Sequence, residues 1–191
     1  APRWLLLLLL ALVSPQSSPS EQVRAKPRLN GTFVALGNET ALWPEGRWLL
    51  EFEAMATVGI SFVIVHASAH GTSDSSSECP SGTYDAYFPV TESQQPLLGT
   101  QQGSAATLPC FKQTGATVVG GTLGAIARAA RSAGLQLHLG LAYPFTHLWM
   151  YTDASRRAHL AQTQQSVARH LHRLYSDTVT IAGYYTALEE S

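Results

Sequence analysis

Short apolar runs alternate with longer stretches of helical periodicity along most of the chain, and this alternation constrains the fold more than any other feature. Thr32–Leu36, held between Gly31 and Gly37, is a short apolar run and reads as a first strand. Pro44-Glu45-Gly46 leads into Arg47–Val58, where Trp48, Phe52 and Met55, with Leu49 and Ala56, recur on one helical face. Gly59 ends that helix. Ile60–His66 follows, dense in β-branched residues and almost continuously apolar, as a parallel strand buried on both faces must be. Val118–Ala133 is predicted to be a second helix, with Val119, Leu123, Ile126, Ala127 and Ala130 inward. Gly134 ends it, and Leu135–Ala142 reads as a third strand. Asp153 is a candidate cap for a helix reaching Tyr175, with Leu160, Val167, Leu171 and Leu174 inward, and Val179–Leu188 is a fourth strand.

The order β-α-β-α-β-α-β implies a parallel sheet with right-handed crossovers. Doubly wound sheets and (β/α) barrels both begin this way. No G-x-G-x-x-G follows the first strand and there is no P-loop, so nucleotide binding loses its main support. The expected fold class is therefore α/β, of the (β/α)8 TIM-barrel type, with only the first four β/α units present. A complete barrel takes about 250 residues, and this reading makes residues 29–191 its amino-terminal half. Residues 67–117 form a long insertion rich in Ser, Gly, Thr, Gln and Pro, a kind of segment that is uncommon in compact domains and usually functional.

Residues 1–20 read as a signal peptide: Arg3, the apolar run Leu5–Val13, then small and turn-forming residues. The run is shorter than the ~20 apolar residues that cross a bilayer, so a membrane anchor is the weaker reading and no span is expected after signal removal. Residues 21–28 form a polar leader. Asn30-Gly31-Thr32 and Asn38-Glu39-Thr40 are glycosylation acceptor triplets, which fits a secreted or secretory-lumen chain. In that compartment Cys79 and Cys110 are expected to bridge, closing a ~30-residue loop worth roughly 3–4 kcal/mol on a chain-entropy model; two free thiols are the alternative. A net charge of −1 offers no basic face to nucleic acid. With no H-E-x-x-H or comparable ligand set, neither a metal nor another cofactor is expected.

The fourth strand carries a more specific pattern. Ile181-Ala182-Gly183-Tyr184-Tyr185-Thr186-Ala187-Leu188-Glu189-Glu190 resembles the family of domain of unknown function 4434, in which this strand has the form Gly-aromatic-Tyr, three variable residues, then Glu. Gly31-Thr32-Phe33, Gly59-Ile60, Tyr87-Phe88-Pro89 and Ala133-Gly134-Leu135 through Gly140-Leu141 resemble further family segments in the same order. The likeness runs from about Asn30 to Ser191, and His66 stands where the family pattern has Gln. The resemblance implies a glycoside-hydrolase-like barrel acting on a carbohydrate, with Glu189 as general acid/base. Strand parity agrees with it: Gly183, Tyr185, Ala187 and Glu189 share one face, which turns Glu190 away.

Glycoside hydrolysis needs two carboxyl groups. Asp74, Glu78, Asp85 and Asp153 are the other acids near the expected active face, and none has motif support. Whether the chain is an enzyme is thus left open, the alternatives being a non-catalytic carbohydrate-binding or scaffold barrel and an inactive fragment. Barrel sites form at the carboxyl ends of strands, which makes Tyr185, His66, Trp149 and Tyr143 the expected sugar-binding residues. His70, His138 and His147 lie in or after the same strands, while His159, His170 and His172 lie on the third helix, outside the barrel. Trp43, Tyr84, Tyr87, Phe145 and Tyr151 also follow strands, as stacking faces or as packing.

Overall fold

A computed structural model describes residues 30–72, 83–90, 110–144 and 154–186. The main sheet contains β1 (Gly31–Val34), β2 (Phe62–Val65), β6 (Gln136–Gly140) and β8 (Ile181–Tyr185), paired in that order and all parallel. Helix α1 (Glu45–Thr57) connects β1 to β2, α2 (Gly121–Ser132) precedes β6, and α3 (Ala154–Tyr175) precedes β8. Each new strand is laid beside the previous one with no reversal of order, so the sheet has no topological switch point of the doubly wound kind. The described strands form an open sheet and do not close into a barrel.

The hydrophobic core lies between this sheet and the helices. Val63, Val65, Leu137 and Leu139 alternate along β2 and β6 and are fully buried, in one cluster with Trp48 and Phe52 of α1, Leu123 and Ile126 of α2, and Val167 and Leu171 of α3. Parallel partners share a face, so the other set of side chains, Phe33, Ile64, His138 and Gly183 in one row, faces away from the helices. Phe33 is 54% exposed there. The rings of Phe33 on β1 and Tyr185 on β8 meet over that face, 5.2 Å apart edge to face, although two strands separate their own.

Two helical expectations need correction. Val119 is 85% exposed rather than inward, and α2 begins at Gly121 rather than Val118. Gly120 and Gly121 both have left-handed φ, +79° and +65°, which breaks the helix before Val119 can join it. Thr122 fixes the new start: its buried hydroxyl donates to the Ala41 carbonyl at 2.6 Å and accepts from the Ala116 N–H at 3.0 Å. His170 lies on α3 as expected and is buried there beside Phe88, with Nε2 3.3 Å from the Pro89 carbonyl oxygen.

The largest addition concerns the insertion. It holds β3 (Ala69–Thr72), β4 (Thr83–Ala86) and β5 (Cys110–Gln113), which join β7 (Ala142–Tyr143) in a second sheet ordered β5-β4-β3-β7. β3 and β7 follow β2 and β6 directly, so the two central strands run on past the main sheet and build the small one over its carboxyl end. At the junction the Ser68 N–H donates to the Gly140 carbonyl at 3.0 Å. Gly140 is needed here because a Cβ would run into the carbonyl of His66.

Gly140→Ala is therefore expected to cost about 1–3 kcal/mol of stability or more, because backbone rather than a flexible side chain must yield. Gly46→Ala, in the first turn of α1 with nothing within 4 Å of the added carbon, should be neutral or stabilising by up to ~1 kcal/mol. Urea unfolding of both variants checks the contrast; equal midpoints would show that Gly140 is not constrained.

Candidate functional site

At the carboxyl ends of the main strands, side chains from separate elements converge on the face away from the helices. Parity places Tyr185 there, since it pairs with Gly140 while Tyr184 pairs with Leu139 of the core face. His66 follows β2 directly, and its ring lies 6.2 Å from that of Tyr185 and 5.7 Å from that of Tyr143. Tyr143 in turn lies 6.0 Å from His70, and His70 stands 5.7 Å from Tyr87 in a nearly perpendicular arrangement. Phe33, Tyr185, His66, Tyr143, His70 and Tyr87 thus form one run of rings. His138 lies lower on the same face, 5.4 Å from Phe62, and the absence of a side chain at Gly183 makes room for it.

The small sheet supplies the wall of this array. Its register aligns Tyr143, His70, Asp85 and Lys112 in one row across β7, β3, β4 and β5. The rows on either side, including Ala142, Ala69 and Ala86, and Tyr84 with Phe111, are buried on the opposite face. Tyr84 is thus a packing residue that stacks on Phe111 at 5.3 Å. Trp43 also belongs to packing, between Trp48 at 4.9 Å and the Arg47 guanidinium at 5.0 Å.

Burial holds the His70 imidazole below the usual histidine range; neighbouring His66 lowers it further, and the Asp85 carboxylate opposes both. Burial, aided by Asp85, pushes the Tyr87 phenol up. The Tyr87 hydroxyl donates to the Leu36 carbonyl at 3.3 Å. The array is thus aromatic and polar, with His70 neutral near pH 7. Such a surface can stack a ring and exchange hydrogen bonds with hydroxyl groups.

Of the expected site residues, the fold brings Tyr185, His66 and Tyr143 together. Glu189, Glu190 and Trp149 lie outside the described residues, as do Cys79 and the acids Asp74, Glu78 and Asp153. Cys110 opens β5, and no free cysteine occurs among the described residues. Asn30 and Asn38 are both exposed, before β1 and in the turn after it. Phe33 is an array member that the sequence reading did not single out, while Tyr87, His70 and Asp85 were named near the strand ends but not among the expected sugar-binding residues. The sequence signal for the last two is the short alternation Thr83-Tyr84-Asp85-Ala86 and its partner Ala69-His70-Gly71-Thr72, each too brief to be read as a strand alone. Among the described residues no group of three or more His, Cys, Asp or Glu is placed to hold a metal ion, and no helix is long and apolar enough to cross a membrane.

Comparison with known proteins agrees with this architecture. The chain belongs to the family of domain of unknown function 4434 (DUF4434), whose model matches residues 29–191. Its fold is similar to that of a crystal structure described as a "putative alpha-L-fucosidase" from Bacteroides thetaiotaomicron, with a TM-score of 0.53 and 19% identity. That match covers 84% of this chain and 41% of the other, so the chain spans less than half the length of its structural neighbour. No curated protein matches the sequence. The fold is thus mixed α/β with a parallel main sheet, similar to that of this solved structure.

The lowered histidines carry a stability consequence. The unfolded chain takes up protons on His70 and His170 near pH 6.5, whereas burial delays both in the folded chain. The unfolded state then holds more protons, so stability falls as pH drops from about 6.5 through the lowered values. The melting temperature should be lower at pH 5 than at pH 7.5, and His70→Gln and His170→Gln should each flatten that slope. Slopes unchanged in both variants would rule out this origin.

Proposed function

We propose that this chain is the amino-terminal half of a secreted (β/α)8 barrel of glycosidase type, which hydrolyses glycosidic bonds with Glu189 as general acid/base. The observation that carries this reading is the run of rings from Phe33 to Tyr87, which gathers at the carboxyl ends of the main parallel strands and on the small sheet that continues two of them. Barrel enzymes build their sites at that end. The exposed ring of Phe33 also fits a sheet face that further strands would cover. On this reading the sheet is the first half of the barrel wall and the small sheet is an elaboration of its mouth. The similarity to a structure named for α-L-fucosidase activity supports a carbohydrate ligand and makes fucosides a first substrate class to test.

Continued alternation beyond Tyr185 would turn Ala187 and Glu189 toward the ring array and Glu190 away. There Glu189 would protonate the leaving oxygen, its acidity weakened by apolar and aromatic neighbours. His66, Tyr143 and Tyr185, with Trp149, would hold the sugar. The same reading includes removal of a signal peptide over residues 1–20, glycans on Asn30 and Asn38, and a Cys79–Cys110 bridge tying β5 to the segment before β4.

A carbohydrate-binding barrel without turnover is the second reading, and one observation favours it. Glu39 lies in the turn after β1, Glu45, Glu51 and Glu53 lie on α1 and Asp177 follows α3, so among the described carboxylates only Asp85 stands in the row of side chains beside the rings, next to His70. Hydrolysis of 4-nitrophenyl glycosides, including the α-L-fucoside, by the full-length protein separates the two. Glu189→Gln should lower turnover about 10²–10⁴-fold with no change in melting temperature. Unchanged turnover would remove Glu189 from the mechanism, and glycoside binding without any turnover would favour the binder.

A further inference from the structure

The insertion presents polar chemistry that the acid/base reading leaves unused. His70 is half-buried between Tyr87 and Tyr143, and no described residue forms a hydrogen bond with its ring nitrogens. The Tyr87 hydroxyl beside it is committed to Leu36. His66 is a second ring neighbour of Tyr143, so two imidazoles lie 5.7 Å and 6.0 Å from one phenol ring. Asp85 is the cross-strand partner of His70, and Lys112 is the partner of Asp85 on its other side.

Resting on the carbohydrate reading above, we propose that His70 is a specificity-determining residue that exchanges hydrogen bonds with a hydroxyl of an uncharged sugar ring seated over Tyr143, and that Asp85 is its positioning residue. A neutral imidazole has one donor and one acceptor, and a hydroxyl group answers both. A carboxylate or sulfate only accepts, and it would have to sit near the negative charge of Asp85. A sugar ring on Tyr143 has both imidazoles for neighbours, so His66 and His70 can each meet a hydroxyl of the same sugar. Burial, His66 and Asp85 set the protonation of His70; Tyr87 and Tyr143 are its ring neighbours, and Lys112 and Tyr185 lie farther along the same face. Protonation of His70 removes its acceptor and weakens the bond to the hydroxyl.

The test uses the full-length protein carrying Glu189→Gln to prevent turnover, titrated calorimetrically with methyl α-L-fucopyranoside, methyl β-D-galactopyranoside and D-glucuronate. A neutral glycoside should bind, more weakly at pH 5 than at pH 7.5. His70→Ala should weaken it about tenfold, the loss of roughly one hydrogen bond to a buried partner, and should flatten the pH dependence. His70→Gln, which keeps a donor and an acceptor, should restore part of the affinity. Asp85→Asn removes the charge that favours protonated His70, so the pH midpoint of binding should move lower, a shift that a merely structural role would not produce. Should His70→Ala fail to fold, the imidazole proton resonance of His70 decides the matter, identified by its loss in His70→Gln. It should move when the glycoside is added. Neutral binding that is indifferent to His70 overturns this inference alone, as does glucuronate binding that is tighter and strengthens at pH 5. Failure of all three probes to bind overturns the carbohydrate reading itself.

Discussion

Tyr87 commits each of its polar groups to a different part of the molecule. Its N–H donates to the Ser68 carbonyl at 3.0 Å, its own carbonyl accepts from the Leu123 N–H at 3.0 Å, and its hydroxyl reaches the Leu36 carbonyl. The second of these satisfies a donor that the first turn of α2 cannot pair within the helix. One residue of the insertion therefore joins the end of β2, the start of α2 and the chain leaving β1. Gly121 has no side chain partly because a Cβ there would lie 2.9 Å from that same carbonyl. With these ties in place the small sheet is a fixed wall over the strand ends, and the ring of Tyr87 can support His70.

The two faces of the parallel sheet divide the work. One face is a conventional core, where Val63, Val65, Leu137 and Leu139 lose all contact with water and contribute most of what holds sheet to helices. The other alternates bulk and absence: Phe62 against Gly31, His138 against Gly183, and Tyr185 opposite Gly140. That alternation lets rings from strands that are not neighbours converge. It gives a surface whose chemistry is aromatic faces and imidazoles, with one carboxylate among the described residues, Asp85, in the row beside them.

The four strands of the main sheet and the three helices were legible because each is long enough, and apolar enough, to show its period. The parity of Gly183 and Tyr185 was legible for the same reason, as was the grouping of His66, Tyr143 and Tyr185 at strand ends. Val119 misled because hydrophobic periodicity does not register backbone conformation: two glycines with left-handed φ delay the start of the helix to Gly121 and leave Val119 outside it. The small sheet was hidden because four-residue strands such as β3 and β4 are set by long-range pairing rather than by their own pattern.

The sequence by itself determined the alternation of strand and helix, the absence of nucleotide-binding loops, the family, and which residues of the fourth strand share a face. These depend on local periodicity and short spacing, which the chain carries residue by residue. Only the tertiary structure decided that the insertion folds into a sheet continuing β2 and β6, and that this sheet brings His70 and Asp85 beside Tyr143. The reason is register. Whether His70 faces Asp85 depends on hydrogen bonds between segments far apart in the chain, and on Gly140 letting two backbones approach, and no local pattern encodes either.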